Sequence, residues 1–227
     1  MKNLFKQTST LYLLLTLALS ACTSVTIDQV KHVPSELKDG ESIVVIGRRS
    51  GNDYETEPEL ISCIGKTLLK GNNPMNVIPE QEFVDRLYPW FEARTAPVHV
   101  WDLQRLLSFD DIAQIIDEYN VHYIVWIDGV TEKTRGGGSI SCGLSPAGVS
   151  CFGFGTWDEK AEYEASVWDY RTKKLVGKVS SVADGTSYMP AIVIPIPLLA
   201  QVQSQACSAM ANQLQSFFSS SQNQANE

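Results

Sequence analysis

Between Val121 and Tyr170 the chain mirrors itself about a single turn, and this symmetry constrains the fold more than any other feature. Ile140, Cys142 and Leu144 alternate with Ser139, Ser141 and Gly143, residues 145–148 (Ser-Pro-Ala-Gly) read as a four-residue turn, and Val149 and Cys151 resume the alternation. If Leu144 faces Val149, then Cys142 faces Cys151, and the same register sets Val125 against Trp168 and Tyr123 against Tyr170. The spacing predicts one long hairpin from about Val121 to Tyr170. Glycines at 136–138, 153 and 155 mark where bulges would interrupt it. Directly opposed cross-strand Cβ atoms lie about 4.5–5.5 Å apart, near enough for a small adjustment to close a disulfide. Zinc ligation is the rival reading for Cys142 and Cys151, but without a second Cys/His pair nearby the spacing is a poor metal pattern.

Whether a disulfide forms depends on the compartment, and residues 1–22 bear on that. Lys2 and Lys6 form a basic start, Leu11 to Leu19 an apolar run broken only by Thr16, and Leu19, Ser20, Ala21 and Cys22 close it. A run this short with small residues at its end is a secretory signal, not a membrane span. Because cysteine follows the small pair at once, the segment resembles a bacterial lipoprotein signal with its lipobox. The resemblance implies that Cys22 is diacylated on sulfur, becomes the new N-terminus and is acylated there too. Three acyl chains, at roughly 0.8 kcal/mol per buried CH₂, exceed the two signals that stable anchoring needs. Thr23, standing where an aspartate would otherwise retain the protein, resembles the pattern sorted outward. The expectation is a palmitate-bearing protein of the cell envelope, held in the outer membrane and facing the periplasm.

In that oxidising space the remaining cysteines become an even set of four: Cys63, Cys142, Cys151 and Cys207. With Cys142 opposite Cys151, Cys63 either pairs with Cys207 or both stay as buried small hydrophobes. Lys2 and Lys6 leave with the signal, taking the formal net charge from −8 to −10. So acidic a chain is a poor binder of nucleic acid or anionic lipid. With 44% hydrophobic and 19% charged residues it can bury one proper core. The organisation expected is a signal peptide over 1–21, a lipidated cysteine and flexible tether over 22–40, one periplasmic α/β domain over 41–218, and a disordered Ser/Gln/Asn tail over 219–227. About 18 residues of polar coil would reach roughly 20–25 Å and lift the domain clear of the headgroups.

Residues 41–47 form an apolar, β-branched run and predict a buried strand. Thr56, Pro58 and Glu59 have the form of a capping box opening a helix with Leu60, Ile61, Ile64 and Leu68, stopped at Gly71. A short strand at 75–78 precedes Pro79 and a helix carrying Phe83, Val84 and Leu87; residues 93–107 read mostly as loop. Ser108 with Asp110 and Asp111 signals a helix whose Ile112, Ile115, Ile116 and Tyr119 share one face. Strands follow at 121–127, 163–170 and 175–182, then an apolar stretch at 189–197 with three prolines that cannot be helical, then an amphipathic helix from Leu199 to Phe217. The order predicts an α/β fold, an α+β sandwich with a mixed sheet of about five strands, antiparallel hairpins toward the C-terminus and helices packed on it.

No nucleophile elbow, phosphate loop, zincin helix or dinucleotide fingerprint is present. Gly136–Gly138 follows a strand and leads into another, so no helix N-terminus supplies an anion site. His32, His99 and His122 stand isolated in sequence, and Asp110 with Asp111, like Asp117 with Glu118, point apart on a helix. No metal and no cofactor are expected. Trp126 and Trp168 lie in strands and read as packing, whereas Trp90 and Trp101 flank a proline-bearing loop and are candidates for a partner surface. Ile192, Ile194 and Ile196 are the other candidates, in a segment that either packs down over the sheet or docks a partner.

The strand at 43–46 with its polar loop and helix, the short strand at 76–78 opening on Pro79, the passage from Ile115 to Gly129 and the hairpin from Val167 to Val176 resemble the periplasmic α/β domain shared by the curli-secretion channel lipoprotein, the lipoprotein activators of penicillin-binding proteins and the TolB amino-terminal domain. The resemblance covers about residues 41–185. It implies a non-enzymatic envelope domain that recognises proteins or assembles into rings, with a membrane held through acyl chains and an envelope protein as partners, and no small-molecule substrate. The chain departs from the channel members in showing one glycine-rich hairpin, not two amphipathic ones of about 9–11 residues per strand. A subunit of an oligomeric secretion channel and a cell-envelope enzyme are the alternative readings.

Overall fold

The computed structural model describes residues 23–49, 54–71, 73–92, 94–146, 148–195 and 199–219. The signal peptide, Cys22, Ile196 and residues 220–227 lie outside the described residues. In chain order the elements are β1 Thr23–Lys31, β2 Ser42–Gly47, α1 Pro58–Lys70, β3 Val77–Ile78, α2 Glu80–Arg86, α3 Val100–Leu106, α4 Asp110–Glu118, β4 Val121–Ser145, β5 Gly148–Asp169, β6 Lys174–Pro195 and α5 Val202–Ser219. The strands form one mixed sheet in the order β1-β6-β5-β4-β2-β3. It has six described strands where about five were expected, and the α+β sandwich class holds.

Two compact units divide the chain. Among described residues, an α/β unit comprises Val25–Glu132, Ala161–Ala183 and the chain from Val202 on; a strand unit comprises Thr23 and Ser24, Lys133–Lys160 and Asp184–Gln201. The long strands β4, β5 and β6, of 25, 22 and 22 residues, each contribute to both units.

In the α/β unit β2 is parallel to β3, with Ile43 beside Val77, and to β4, with Ile46 beside Trp126. Every residue of β2 is buried, as expected of a strand covered on both faces. Val44 and Ile46 face a core with Phe83, Leu87, Phe91, Leu103, Ile112 and Ile116 from α2, α3, α4 and the turns between them. Leu60, Ile64 and Leu68 of α1 and Ala206, Met210 and Leu214 of α5 are also buried, and a Cys63–Cys207 disulfide joins these two helices with Cα atoms 6.2 Å apart. α1 ends at Gly71, which is extended, and the Gln215 side chain lies where a Cβ on Gly71 would project.

Several local expectations are corrected. Thr56 does not cap α1: its N–H donates to the Arg48 carbonyl at 3.0 Å and its hydroxyl to the Ile127 carbonyl at 3.3 Å, so long-range pairing takes the groups a cap would use. Ser108 donates to the Arg105 carbonyl at 2.6 Å, closing α3 and leaving α4 uncapped by a side chain. Residues 100–106, read as loop, are helical, because Leu103 and Leu106 supply core contacts that outweigh the proline upstream.

The first half of the expected flexible tether, Thr23–Lys31, is strand. Thr23, Val25 and Ile27 alternate with exposed neighbours along β1, the His32 N–H donates to the Val176 carbonyl at 2.8 Å, and the Lys31 ammonium donates to the Phe217 carbonyl at 2.6 Å. Polar composition suggested coil, yet an edge strand with one solvated face is polar on alternate residues. Burial pulls the Lys31 ammonium below its usual range. The stretch at 189–195, expected as strap or docking loop, continues β6. The stretch includes Pro190 and Pro195, whose missing N–H groups mask its strand character in the sequence.

In the strand unit Cys142 of β4 is bonded to Cys151 of β5, Cα to Cα 4.0 Å. Gly138 and Gly153 adopt φ of +90° and +144°. A Cβ on Gly138 would overlap the Phe154 carbonyl and one on Gly153 the Ser139 carbonyl, so only glycine fits where the two strands approach.

Candidate interaction surfaces

Large aromatic side chains left in water are the main functional signal of the α/β unit. After α2 the chain makes tight turns through Tyr88 and Trp90, then α3 and α4 carry it back; Phe91, Leu103 and Leu106 hold these turns from below. Above them Tyr88, Trp90, Trp101 and Phe109 stay exposed, Trp101 by 75%. The Trp90 and Phe109 rings lie 5.6 Å apart and wall a shallow hollow of about 510 Å³ whose rim includes Arg94, Pro97, Asp102 and Arg105. The Arg105 guanidinium donates to Asp102 at 3.1 Å. Both tryptophans expected at a partner surface are thus exposed, and Tyr88 and Phe109, which no sequence pattern singled out, join them. Of the other expected surface residues, Ile192 and Ile194 lie in β6 with side chains outside the described set, and Ile196 lies outside it altogether.

Two polar clusters in the same unit hold themselves. At the start of β4, Glu41 receives His122 Nδ1 at 2.6 Å and Arg171 Nη1 at 2.5 Å; Arg171 also donates to Asn120 at 3.0 Å, and His122 Nε2 lies 3.7 Å from Asp169. Burial would raise the Glu41 carboxyl, but the Lys38 N–H, His122 and Arg171 together hold it below the usual carboxylate range. His122, isolated in sequence, is therefore built into an ion-pair network that ties the β5–β6 turn to the segment before β2. Beyond the carboxyl end of β2, Arg48 stacks 4.1 Å from the Tyr54 ring, and Asp128 accepts from Tyr54 at 2.5 Å and pairs with Arg48 at 3.5 Å. Burial first and Asp128 second push the Tyr54 hydroxyl above its ordinary range. Nearby, Glu57 accepts from the Thr131 N–H at 2.7 Å and the Tyr163 hydroxyl at 3.0 Å, and burial raises the Tyr163 hydroxyl strongly. Each charged group is matched by an internal partner, which makes these clusters braces for the sheet. Among the described residues no group of three or more His, Cys, Asp or Glu is placed to hold a metal.

The strand unit exposes apolar side chains of its own: Leu144, Val149, Phe152, Phe154 and Tyr188. Phe154 and Tyr188 touch, with ring centroids 6.0 Å apart. Deeper in this unit Thr186 donates to Asp158 at 2.8 Å and the Ala200 N–H to the buried Ser187 hydroxyl at 2.8 Å, fixing the chain that leaves β6.

No family model matches the chain, and no curated protein does. Among solved structures it is similar to the PelC dodecamer from Paraburkholderia phytofirmans, at 11% identity and a TM-score of 0.41 over 86% of this chain and 97% of that one. It is also similar to lipoprotein GNA1162 from Neisseria meningitidis, at 12% identity and a TM-score of 0.36 over 77% of this chain and 98% of that one. At these scores the likenesses decide neither fold nor role. Among the described residues no helix is long and apolar enough to cross a membrane.

Proposed function

We propose that the chain is a lipoprotein of the bacterial envelope, anchored through Cys22 in the outer membrane, that acts as a non-enzymatic protein-binding or assembly module. The observation that carries the binding role is the exposure of Tyr88, Trp90, Trp101 and Phe109, with Trp90 and Phe109 in contact at the wall of a hollow. Rigid aromatic side chains beside an Arg are the composition that concentrates binding energy at protein interfaces, because they bury much area for little lost rotamer freedom. The anchor is supported by the basic start, apolar run and small residues before Cys22.

A photoreactive phenylalanine analogue at position 101 in living cells tests this reading. The expected result is a discrete adduct with another envelope protein that disappears when Trp90→Ser is added. No protein adduct, or one indifferent to Trp90, contradicts it.

A further inference from the structure

The strand unit differs from the rest of the molecule in what it shows to solvent. From Gly136 to Trp157 it contains no Asp, Glu, Lys, Arg or His, nor does any residue from Gly185 to Gln201, in a chain where 19% of residues are charged. Its large exposed side chains are instead apolar: Leu144, at 88%, Val149, Phe152, Phe154 and Tyr188. A sheet face meant for water alternates apolar with polar or charged residues, and edge strands usually carry charge to prevent association. Serines at 139 and 141 keep the alternation, but no charged residue guards these strands between Gly136 and Trp157.

What covers this surface is indicated by the place of Thr23 and Ser24. Thr23 and Ser24 belong to the same compact unit as these strands, and Thr23 is the first residue of β1. Cys22 precedes it directly. At about 3.3–3.6 Å per residue, no coil is left to hold an acylated Cys22 away from the strand unit. We propose that the charge-free surface of this unit rests in the membrane interface, a non-covalent seat beside the acyl chains; this rests on the lipidation of Cys22 proposed above. Phe and Tyr are side chains that settle at headgroup depth, and a surface without acids escapes the repulsion that the net acidic charge of the chain would otherwise meet at anionic lipid. The seat is interfacial and does not span. The strands form an open sheet, and unpaired edge N–H and C=O groups must keep access to water or cost several kcal/mol each in hydrocarbon.

The test places a photoreactive phenylalanine analogue at Phe154 in the full-length chain expressed in its envelope, with the same analogue at Trp101 for comparison. Non-reduced peptide mapping of the Cys142–Cys151 bond checks that the hairpin has formed in each variant. The expected result is a phospholipid adduct at 154 and none at 101. An adduct at 154 to a second copy or to another protein, lipid labelling at both positions alike, or no adduct at all, overturns the seat. Palmitate incorporation in the same cells reports the anchor separately: label without a lipid adduct at 154 sinks the seat alone, and absence of label sinks the anchor reading while the adduct still decides the seat.

Discussion

Removing the Cys63–Cys207 bridge should cost about twice the stability lost on removing Cys142–Cys151. The first closes a loop across 144 sequence positions and the second across 9. Loop-closure entropy taken from the unfolded chain corresponds to about 5 kcal/mol at 25 °C for the long loop and about 2.6 kcal/mol for the short one. The long bridge also joins α1 to α5, and Cys207 is fully buried, so Cys→Ala there adds a small packing loss on the order of 1 kcal/mol. The variants Cys63→Ala/Cys207→Ala and Cys142→Ala/Cys151→Ala, followed by far-UV circular dichroism in urea, read this directly. With a slope of about 2 kcal/mol per molar, the midpoint should fall by roughly 2.5–3 M for the first pair and about 1.3 M for the second. Hydrogen exchange should add a spatial signature, with Cys142→Ala/Cys151→Ala loosening residues 133–160 first. Equal midpoints for the two variants, or the reverse order, would refute the reasoning.

Gly153→Ala forces a side chain into φ +144° against the Ser139 carbonyl, so it should cost about 1–3 kcal/mol and lower the yield of the Cys142–Cys151 bond in non-reduced peptide maps; a fully bonded, unchanged hairpin would contradict the close approach. Trp126→Ala empties the largest fully buried side chain and should cost about 3–5 kcal/mol, lowering Tm by roughly 10 °C in a scan, whereas a change within about 2 °C would mean Trp126 is not core. A carboxyl whose pKa falls on folding stabilises the protein above its unfolded pKa and stops doing so as pH drops through the folded one. Glu41, held low despite its burial by Lys38, His122 and Arg171, should therefore steepen acid unfolding below its ordinary value of 4.5, and Glu41→Gln should flatten that limb of the stability curve; identical slopes would remove Glu41 from the linkage.

The elements that were legible in sequence are those whose signal is local and periodic. The alternation around Cys142 and Cys151 carried strand, turn and register together, and the i, i+3, i+4 spacing of Ile112, Ile115 and Ile116 marked α4. What stayed hidden depends on neighbours far along the chain. β1 reads as polar coil until β6 pairs with it, and residues 189–195 read as loop because Pro190 and Pro195 are acceptable in a strand only where one edge is free. Thr56 has the pattern of a cap, yet Arg48 and Ile127, brought beside it by the parallel pairing of β2 and β4, claim its donors. The Glu41, His122 and Arg171 network spans 130 positions, and no spacing rule links such residues. Of the exposed aromatics, Trp90 and Trp101 were visible as surplus aromatics beside Pro97, but Phe109 sits in what looks like a capping segment, and only the folded chain brings its ring to Trp90.

The central claim, a folded unit held to the membrane from its first strand, is tested most directly by the mass of the N-terminal tryptic peptide of the protein isolated from membranes. The account predicts a peptide beginning at Cys22 and ending at Lys31, heavier than its sequence by a diacylglyceryl group and an amide-linked acyl chain. An unmodified peptide beginning elsewhere, or recovery of the protein from the soluble fraction with a free Cys22, would contradict it.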